Sequence, residues 1–406
     1  MIRTKENISN RKPKQAVILA GGLGTRLRPI TDTIPKPMIP FHGKPFLEYL
    51  LEMLVDQGIE RVVLLLGYLP EVVTEYFGDG NKWGLEIAYS ITEVEDDTGL
   101  RLQKAKHLFD PVFLLMYCDN YWPLNLDKLW NRFVSHDVSA LVTVYMNRDN
   151  YTRSNIRLDE DGYIEVYDKT RTAENLQGVD IGFFILQRDV IDMIPEGNHN
   201  FEKTVMPRLV KNREIITYPT DHRYYSVGSH ERLKLTDVFL SRKPAIILDR
   251  DGVLNKKAPK AEYITNWAEW EWIPGSKEAV CLLKKAGFLI IIVSNQAGIA
   301  RGIMTHEDLS AIHEQLQNDL KSCNGSVDKI YYCPHGWDEN CECRKPKPGM
   351  LFQAQRDFHL DLTRLYFVGD DERDKMAGDA ADMKTVLLNE SFTLNDFVRK
   401  ELNIIG

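Results

Sequence analysis

The sequence predicts an α/β protein of two domains, each built on buried parallel strands. Three observations carry that expectation. Two short apolar runs, Gln15-Ala-Val-Ile-Leu-Ala20 and Ala245-Ile-Ile-Leu248, end abruptly in loops of glycine and aspartate. An apolar run of that length suits a strand covered on both faces, with a ligand loop at its C-terminal end. Each run is followed by alternating helical and extended patterns, the signature of α/β layers. Between the two halves, Ser241-Arg-Lys-Pro244 is polar and proline-marked, as a junction should be. The expected divisions are a polar tail at 1–14, a first domain at 15–241 and a second at 242–406.

Along the first half, Pro45–Gly58 has helical spacing, and Arg61–Leu66 reads as the next strand. Phe113–Met116 is a third strand, running into Cys118-Asp119; Ser139–Tyr145 and Gly182–Leu186 look like further ones. In the second half, Ser276–Ala286 and His306–Leu320 read as helices. Phe288–Val293, Lys329–Tyr332 and Leu365–Val368 read as strands. The tryptophans Trp267, Trp270 and Trp272 suit a packed hairpin better than a substrate mouth.

Composition excludes several classes. The chain has 406 residues, 43% hydrophobic and 27% charged, as an ordinary globular protein does. A formal charge of −8 argues against nucleic acid as the main partner, so phosphorylated ligands would be held by local cations and backbone N–H groups. The start, Met1 to Gln15, is polar and basic and does not read as a signal peptide. No apolar run reaches the roughly 18 residues of a membrane span. Of six cysteines, Cys118, Cys281 and Cys323 stand alone, while Cys333, Cys341 and Cys343 crowd beside His335. That grouping suits a metal site in a reducing cytoplasm better than a disulfide framework.

The first candidate site is Leu19-Ala-Gly-Gly-Leu-Gly-Thr-Arg-Leu-Arg-Pro29, continued by Pro35-Lys36-Pro37-Met38. Gly21, Gly22 and Gly24 after a strand let backbone N–H groups approach phosphate oxygens. Arg26 can neutralise a departing pyrophosphate, and Lys36 is a second cation for a phosphoryl group. Glycines alone would be a tight turn; the run of glycine, arginine and lysine together points to phosphate chemistry.

This segment resembles the sugar-1-phosphate nucleotidyltransferases, over about Gln15 to Leu235. The resemblance implies a Rossmann-like fold and attack by a sugar 1-phosphate on the α-phosphorus of a nucleoside triphosphate, with Mg²⁺ as cofactor. By the same resemblance Asp119 is the magnesium aspartate and Lys169 holds the sugar phosphate. Gly182 lies in the sugar-binding segment, and Gly99 in the stretch that meets the base. One departure stands out. In Tyr225-Ser226-Val227-Gly228-Ser229, Ser226 takes the place of a second metal aspartate. A neutral hydroxyl is a poorer ligand for a hard cation than a carboxylate. Altered ligation, slow chemistry and a non-catalytic binding module are all open on that ground.

The second candidate site is more specific. In Asp249-Arg250-Asp251-Gly252, two carboxylates two residues apart follow a buried strand. Asp249 can attack phosphorus, and Asp251 can protonate the leaving oxygen and then activate water. Close carboxylates repel, so a cation belongs between them, and Mg²⁺ suits oxygen ligands. Ser294-Asn295-Gln296 ends a later strand, where Ser294 and Asn295 can hydrogen-bond a phosphoryl group. Arg344-Lys345-Pro346 supplies cations, Lys345 being the choice to balance the nucleophile; Asp370, in Gly369-Asp370-Asp371-Glu372, is a further metal carboxylate. This four-part pattern resembles the haloacid dehalogenase superfamily of phosphatases, over about Pro244 to Leu388, and implies their Rossmannoid fold.

Cys333-Pro-His335 and Cys341-Glu-Cys343 form two close pairs, a set suited to a structural Zn²⁺ that staples the loop carrying Arg344 and Lys345. With that loop the pattern looks like the D-glycero-D-manno-heptose 1,7-bisphosphate phosphatases; histidinol-phosphate phosphatases share nearly all of it. The two resemblances together imply successive steps, a phosphatase leaving a sugar 1-phosphate and a nucleotidyltransferase consuming it, with GTP the expected donor. Sugar phosphates and a nucleoside triphosphate are the expected partners, without nucleic acid or membrane, and with homo-oligomerisation open.

Overall fold

The computed structural model describes residues 12–259 and 262–405, so most of the expected 1–14 tail lies outside the described residues. Two of its last residues are pinned: Lys12 pairs with Asp127 at 2.6 Å and Lys14 with Glu60 at 2.8 Å. The chain divides into two units, one ending at Leu240 and one starting at Ser241.

The first unit is a seven-stranded sheet with helices on both faces. Across it lie the strands Ile215–Thr220, Ala140–Tyr145, Val179–Gln187, Val112–Tyr117, Gln15–Ala20, Arg61–Leu66 and Glu86–Ile91. All pairings are parallel except the two made by Val179–Gln187, which runs against both neighbours. The central strand shows why the run is unbroken. Ala16, Ile18 and Ala20 belong to the core on one face, Val17 and Leu19 to that on the other. Burying each Val, Leu or Ile contributes roughly 1.5–3 kcal/mol, so a polar residue anywhere in the run would cost stability. The helix Phe46–Asp56 covers one face with Phe46, Leu47, Leu50, Leu51 and Leu54. It stops where Gly58 takes φ +76° and Ile59 N–H returns to the Leu54 carbonyl at 3.0 Å. Both the first strand and the neighbouring Val112–Tyr117 deliver their C-terminal ends to one place: Gly21 to Gly24 and Cys118-Asp119.

The second unit is a five-stranded, wholly parallel sheet in the order Lys329–Cys333, Leu289–Asn295, Ala245–Leu248, Tyr366–Gly369 and Lys384–Leu387. Ile246 and Leu248 face one core, Ala245 and Ile247 the other. The three inner strands end side by side at Asp249, Asn295 and Gly369, so the predicted motifs meet along one sheet edge. Trp267 stacks on Trp270 with centroids 5.1 Å apart, Trp270 meets Trp272 edge-on, and Trp272 donates to Asp319, so all three are packing groups.

One expectation is corrected. Cys281 and Cys323 do not stand alone: they are joined as a disulfide, their Cα atoms 6.0 Å apart across 42 residues. The helix Ser276–Lys285 packs beside His306–Lys321, and that packing brings Cys281 to the turn that follows the second helix. Among the described residues no helix is long and apolar enough to cross a membrane.

Candidate active sites

In the second unit Asp249 ends the central strand, with its N–H on the Val368 carbonyl at 2.8 Å. Its carboxylate is buried, and Lys345 Nζ lies 2.8 Å from Oδ1. The same ammonium is 2.6 Å from Asp374 Oδ1 and donates to the Val293 carbonyl at 3.2 Å. Lys345 is only 3% exposed, so its charge is spent entirely inside the site. Burial pushes the Asp249 pKa up to about 7; Lys345 opposes the shift and Asp374 adds to it.

Asp370 completes the carboxylate group, with one oxygen 2.6 Å from Lys257 Nζ and the other buried without a hydrogen-bond partner among the described residues. Asp249, Asp370 and Asp374 each offer an oxygen within 4.8 Å of the others. An orphaned carboxylate oxygen within such a group fits a hard divalent cation. Gly252 makes room for this: at φ +94° a Cβ there would stand 2.0 Å from Asp370 Oδ2.

Asp251 is placed differently from the expected metal ligand. Arg250, 1% exposed, grips its carboxylate with Nε at 3.2 Å and Nη2 at 2.9 Å. Asn255 and Gln296 also donate to it, each at 2.9 Å. Burial opposes its charge, but Arg250 and these amides win and hold its pKa below the usual carboxylate value. The metal-competent group is Asp249, Asp370 and Asp374, and Asp251 stands beside it as a fixed carboxylate.

Ser294 Oγ accepts from Gln296 at 2.8 Å. Asn295 turns its amide to the loop: it accepts from Lys345 N–H and donates to Lys345 O, both at 3.0 Å. Its first task is therefore to fix Lys345. From the other side Cys343 leads directly into Arg344, whose Nη1 reaches the His335 carbonyl at 3.2 Å.

The four predicted soft ligands converge. Cys333 Sγ is 3.5 Å from His335 Nδ1 and from Cys341 Sγ; His335 Nδ1 is 3.2 Å from Cys343 Sγ. Ligand atoms about 2.3 Å from a tetrahedral zinc would be separated by about 3.8 Å, so the set fits that ion after a small expansion. A cavity of about 360 Å³ opens over Asp249 and Asp251 and reaches Lys257, Tyr263, Trp337, Arg344 and Arg373.

The first unit has a cavity of the same volume, about 360 Å³. It brings together Gly21, Gly22, Gly24, Arg26, Lys36 and Asp119 from the predicted set. Gly24, at φ +64°, turns the chain into the short helical turn Thr25–Leu27. At Gly22 a Cβ would meet nothing within 4 Å, so the backbone there is open to a ligand. Lys36 pairs with Asp119, while Arg26 stands exposed at the rim with no ion pair among the described residues. Ser226 lies in register with Asn120, and Val227 N–H bonds the Asp119 carbonyl at 2.9 Å. It thus sits beside Asp119, as the resemblance places it. Asp221 pairs with Arg148 at 3.2 Å instead.

Three predicted residues are not on this cavity. Gly99 is a packing glycine: its N–H bonds His199 O at 2.9 Å, and a Cβ would stand 2.4 Å from that oxygen. Its neighbours Asp96, Asp97 and Thr98 line the cavity in its stead. Gly182, at φ +81°, leaves space for Tyr117, whose ring a Cβ would meet at 2.8 Å, and Tyr117 does line the cavity. Lys169 pairs with Glu202, next to Asp180, which accepts from Tyr167 OH and Gly182 N–H, both at 2.8 Å. Burial, then Asp180, push the Glu202 pKa up to about 7. The sequence alone gives no sign of Glu202 or the buried Arg101, and assigns no role to Asp180, Gln296 or Asp374. Only contacts distant in the chain reveal these residues.

Two sheets, each with anionic-ligand chemistry at its strand C-termini, define a two-unit α/β enzyme of phosphoryl and nucleotidyl transfer. The family model described as nucleotidyl transferase matches residues 15–239, and that of polynucleotide kinase 3 phosphatase matches residues 245–397. The D-glycero-beta-D-manno-heptose-1,7-bisphosphate 7-phosphatase of Pseudomonas aeruginosa is 44% identical over 143 residues, 35% of this chain and 79% of that protein. The crystal structure of D,D-heptose 1.7-bisphosphate phosphatase from B. bronchiseptica, with magnesium and phosphate, is 34% identical. It covers 39% of this chain and 98% of its own, with a TM-score of 0.37. HddC from Yersinia pseudotuberculosis, complexed with GMP-PN, is 26% identical over 55% of this chain and 97% of its own, with a TM-score of 0.47. The chain belongs to the nucleotidyl transferase family in its first unit and to the family of the heptose-bisphosphate phosphatases in its second.

Proposed function

We propose that the second unit converts D-glycero-D-manno-heptose 1,7-bisphosphate to the 1-phosphate, and that the first joins this product to a nucleoside triphosphate. The observation that carries the phosphatase chemistry is Lys345, buried between Asp249 and Asp374. An Asp249 oxygen attacks the phosphorus, the bond to the sugar oxygen breaks, and Asp251, which must enter this step protonated although Arg250 and the amides hold it ionised in the free enzyme, protonates that oxygen. Water then attacks the aspartyl-phosphate, giving its proton to Asp251 and releasing phosphate. Lys345 holds the nucleophile in place and offsets charge on the phosphoryl oxygens. Mg²⁺ held by Asp249 and Asp370 would screen the phosphate from the carboxylates. Zn²⁺ on Cys333, His335, Cys341 and Cys343 would be structural. The substrate is proposed from the relative's name and from the open mouth bearing Arg344 and Lys257.

In the first unit a phosphate oxygen of the sugar 1-phosphate attacks the α-phosphorus, and the bond to pyrophosphate breaks. Gly21, Gly22 and Gly24 would cradle the triphosphate, with Arg26 and Lys36 neutralising the leaving group and Mg²⁺ on Asp119. Lys169 would meet the sugar phosphate. GTP is the first donor to assay. The test is to incubate the whole protein with heptose 1,7-bisphosphate and each triphosphate and identify products by mass. Failure to release phosphate from the bisphosphate, with rapid hydrolysis of histidinol phosphate, would sink the heptose assignment. A second reading, favoured by Ser226 beside Asp119, makes the first unit a non-catalytic nucleotide- or sugar-binding module. Pyrophosphate release, lost in Asp119→Ala, rules that out.

A further inference from the structure

Beneath the glycine loop of the first unit lies a cation that the sequence analysis did not single out. Arg101, in the helix Thr98–Ala105, is 3% exposed and lines the floor of the cavity. Its Nη1 donates to the Leu66 carbonyl at 2.8 Å and to Thr92 Oγ1. Its Nη2 reaches the carbonyls of Gly21 at 3.3 Å, Glu93 at 2.8 Å and Val94 at 3.1 Å. All five acceptors are neutral, and Arg101 makes no ion pair among the described residues. A buried guanidinium is costly to desolvate; here neutral oxygens take all its hydrogen bonds, and the nearby carboxylates Asp96, Asp97 and Glu95 favour its charge.

Two glycines make way for this group. A Cβ on Gly21 would lie 2.4 Å from Arg101 Cζ, and one on Gly67 2.5 Å from Nη1. So Gly21 is needed here for the close approach of a side chain from below, apart from any ligand above. The guanidinium ties together three segments: the glycine loop, the end of the strand Arg61–Leu66, and residues 92–94. Two of these lead into stretches that line the cavity, Gly21 to Leu27 and Val94 to Thr98.

We propose that Arg101 is a positioning residue for the nucleoside triphosphate, fixing the spacing between the loop that meets its phosphates and the wall at 94–98. It acts through these walls and through the fixed charge under them, without accepting the reacting atoms. The inference rests on the first unit being a nucleotide site. A lysine could not replace it, because one ammonium nitrogen cannot occupy both the Nη1 and the Nη2 positions, from which five acceptors are reached.

The test uses the full chain and measures binding separately from turnover. Equilibrium dialysis with each triphosphate is run on wild type, Arg101→Lys and Gly67→Ala, beside KM for the sugar 1-phosphate and thermal melting. Both variants are expected to weaken triphosphate binding by about tenfold or more, about the worth of one hydrogen bond to a charged group. The sugar 1-phosphate KM should stay within about twofold, since a loss confined to one substrate is a binding-geometry effect. Unchanged triphosphate affinity in a folded Arg101→Lys protein overturns the proposal. So does an equal loss of both affinities that tracks a lower melting point, which marks a merely structural arginine. Wild type that binds triphosphate without releasing pyrophosphate defeats the transfer reaction and leaves Arg101 to be judged on binding. Wild type that binds no triphosphate defeats both.

Discussion

The two cavities have the same volume and lie in the same place, at the C-terminal ends of parallel strands, yet they hold their cations differently. In the second unit Lys345 is sealed between Asp249 and Asp374, and Asn295 fixes its backbone. In the first, Lys36 meets one carboxylate, Arg26 is exposed at the rim, and a hydroxyl stands beside Asp119. The contrast follows the chemistry. A carboxylate nucleophile must be aimed before the substrate arrives, so its surroundings are built rigid. Transfer between two bound anions draws its nucleophile and leaving group from the ligands, so a cation left exposed, as Arg26 is, can close on them.

The sharpest way to break this comparison is Asp249→Asn. Phosphate release should fall by about 10⁴-fold or more, as for loss of a covalent nucleophile, while pyrophosphate release from the first unit stays unchanged. A parallel loss in both assays would show that the sites are not independent. Lys345→Met comes next. It should cost about 10³-fold in phosphate release and lower the melting point of the second unit, because two buried carboxylates lose their shared partner, a defect of about 3–5 kcal/mol. Activity loss without destabilisation would contradict the sealed geometry.

Ser226→Asp sharpens the other side. An added carboxylate beside Asp119 should lower the magnesium concentration for half-maximal pyrophosphate release by about tenfold. A titration that does not move would remove position 226 from the metal's surroundings. The smallest expected effect concerns His313, whose pKa burial and Arg250 depress to about 4. The unfolded chain binds that proton near pH 6.5, so the second unit loses stability as pH falls from about 6.5 to 4 and gains nothing above. Melting followed over that range should show a shallower decline in His313→Leu.

The motifs that do local chemistry were legible in the sequence, and so were the strands that carry them. Asp249, Asp251, Asp119 and the Cys/His set stand at ends of apolar runs or in close pairs, where position follows from chain direction, and Lys36 follows the glycine loop between two prolines. Arg101 was hidden because its partners lie on three segments. Glu202 was hidden because the charge it meets, Lys169, comes from another loop. Gly99 misled for a related reason: a glycine near a ligand wall can serve packing, and only His199 shows that it does. The edge strands Glu86–Ile91 and Lys384–Leu387 escaped notice because each is half exposed and lacks the continuous apolar pattern. The Cys281–Cys323 bond depended on how two helices pack.

The reciprocal clasp between Asn295 and the backbone of Lys345 separates the metal loop into a fixed root and an adaptable tip. The root is held by two main-chain bonds and by the cysteine-histidine cluster. The tip carries Trp337, 71% exposed, into the mouth of the cavity. Residues 336–340 can therefore be exchanged without touching the clasp that places the ammonium against Asp249. The loop is a handle for redesigning selectivity that leaves the reaction centre alone.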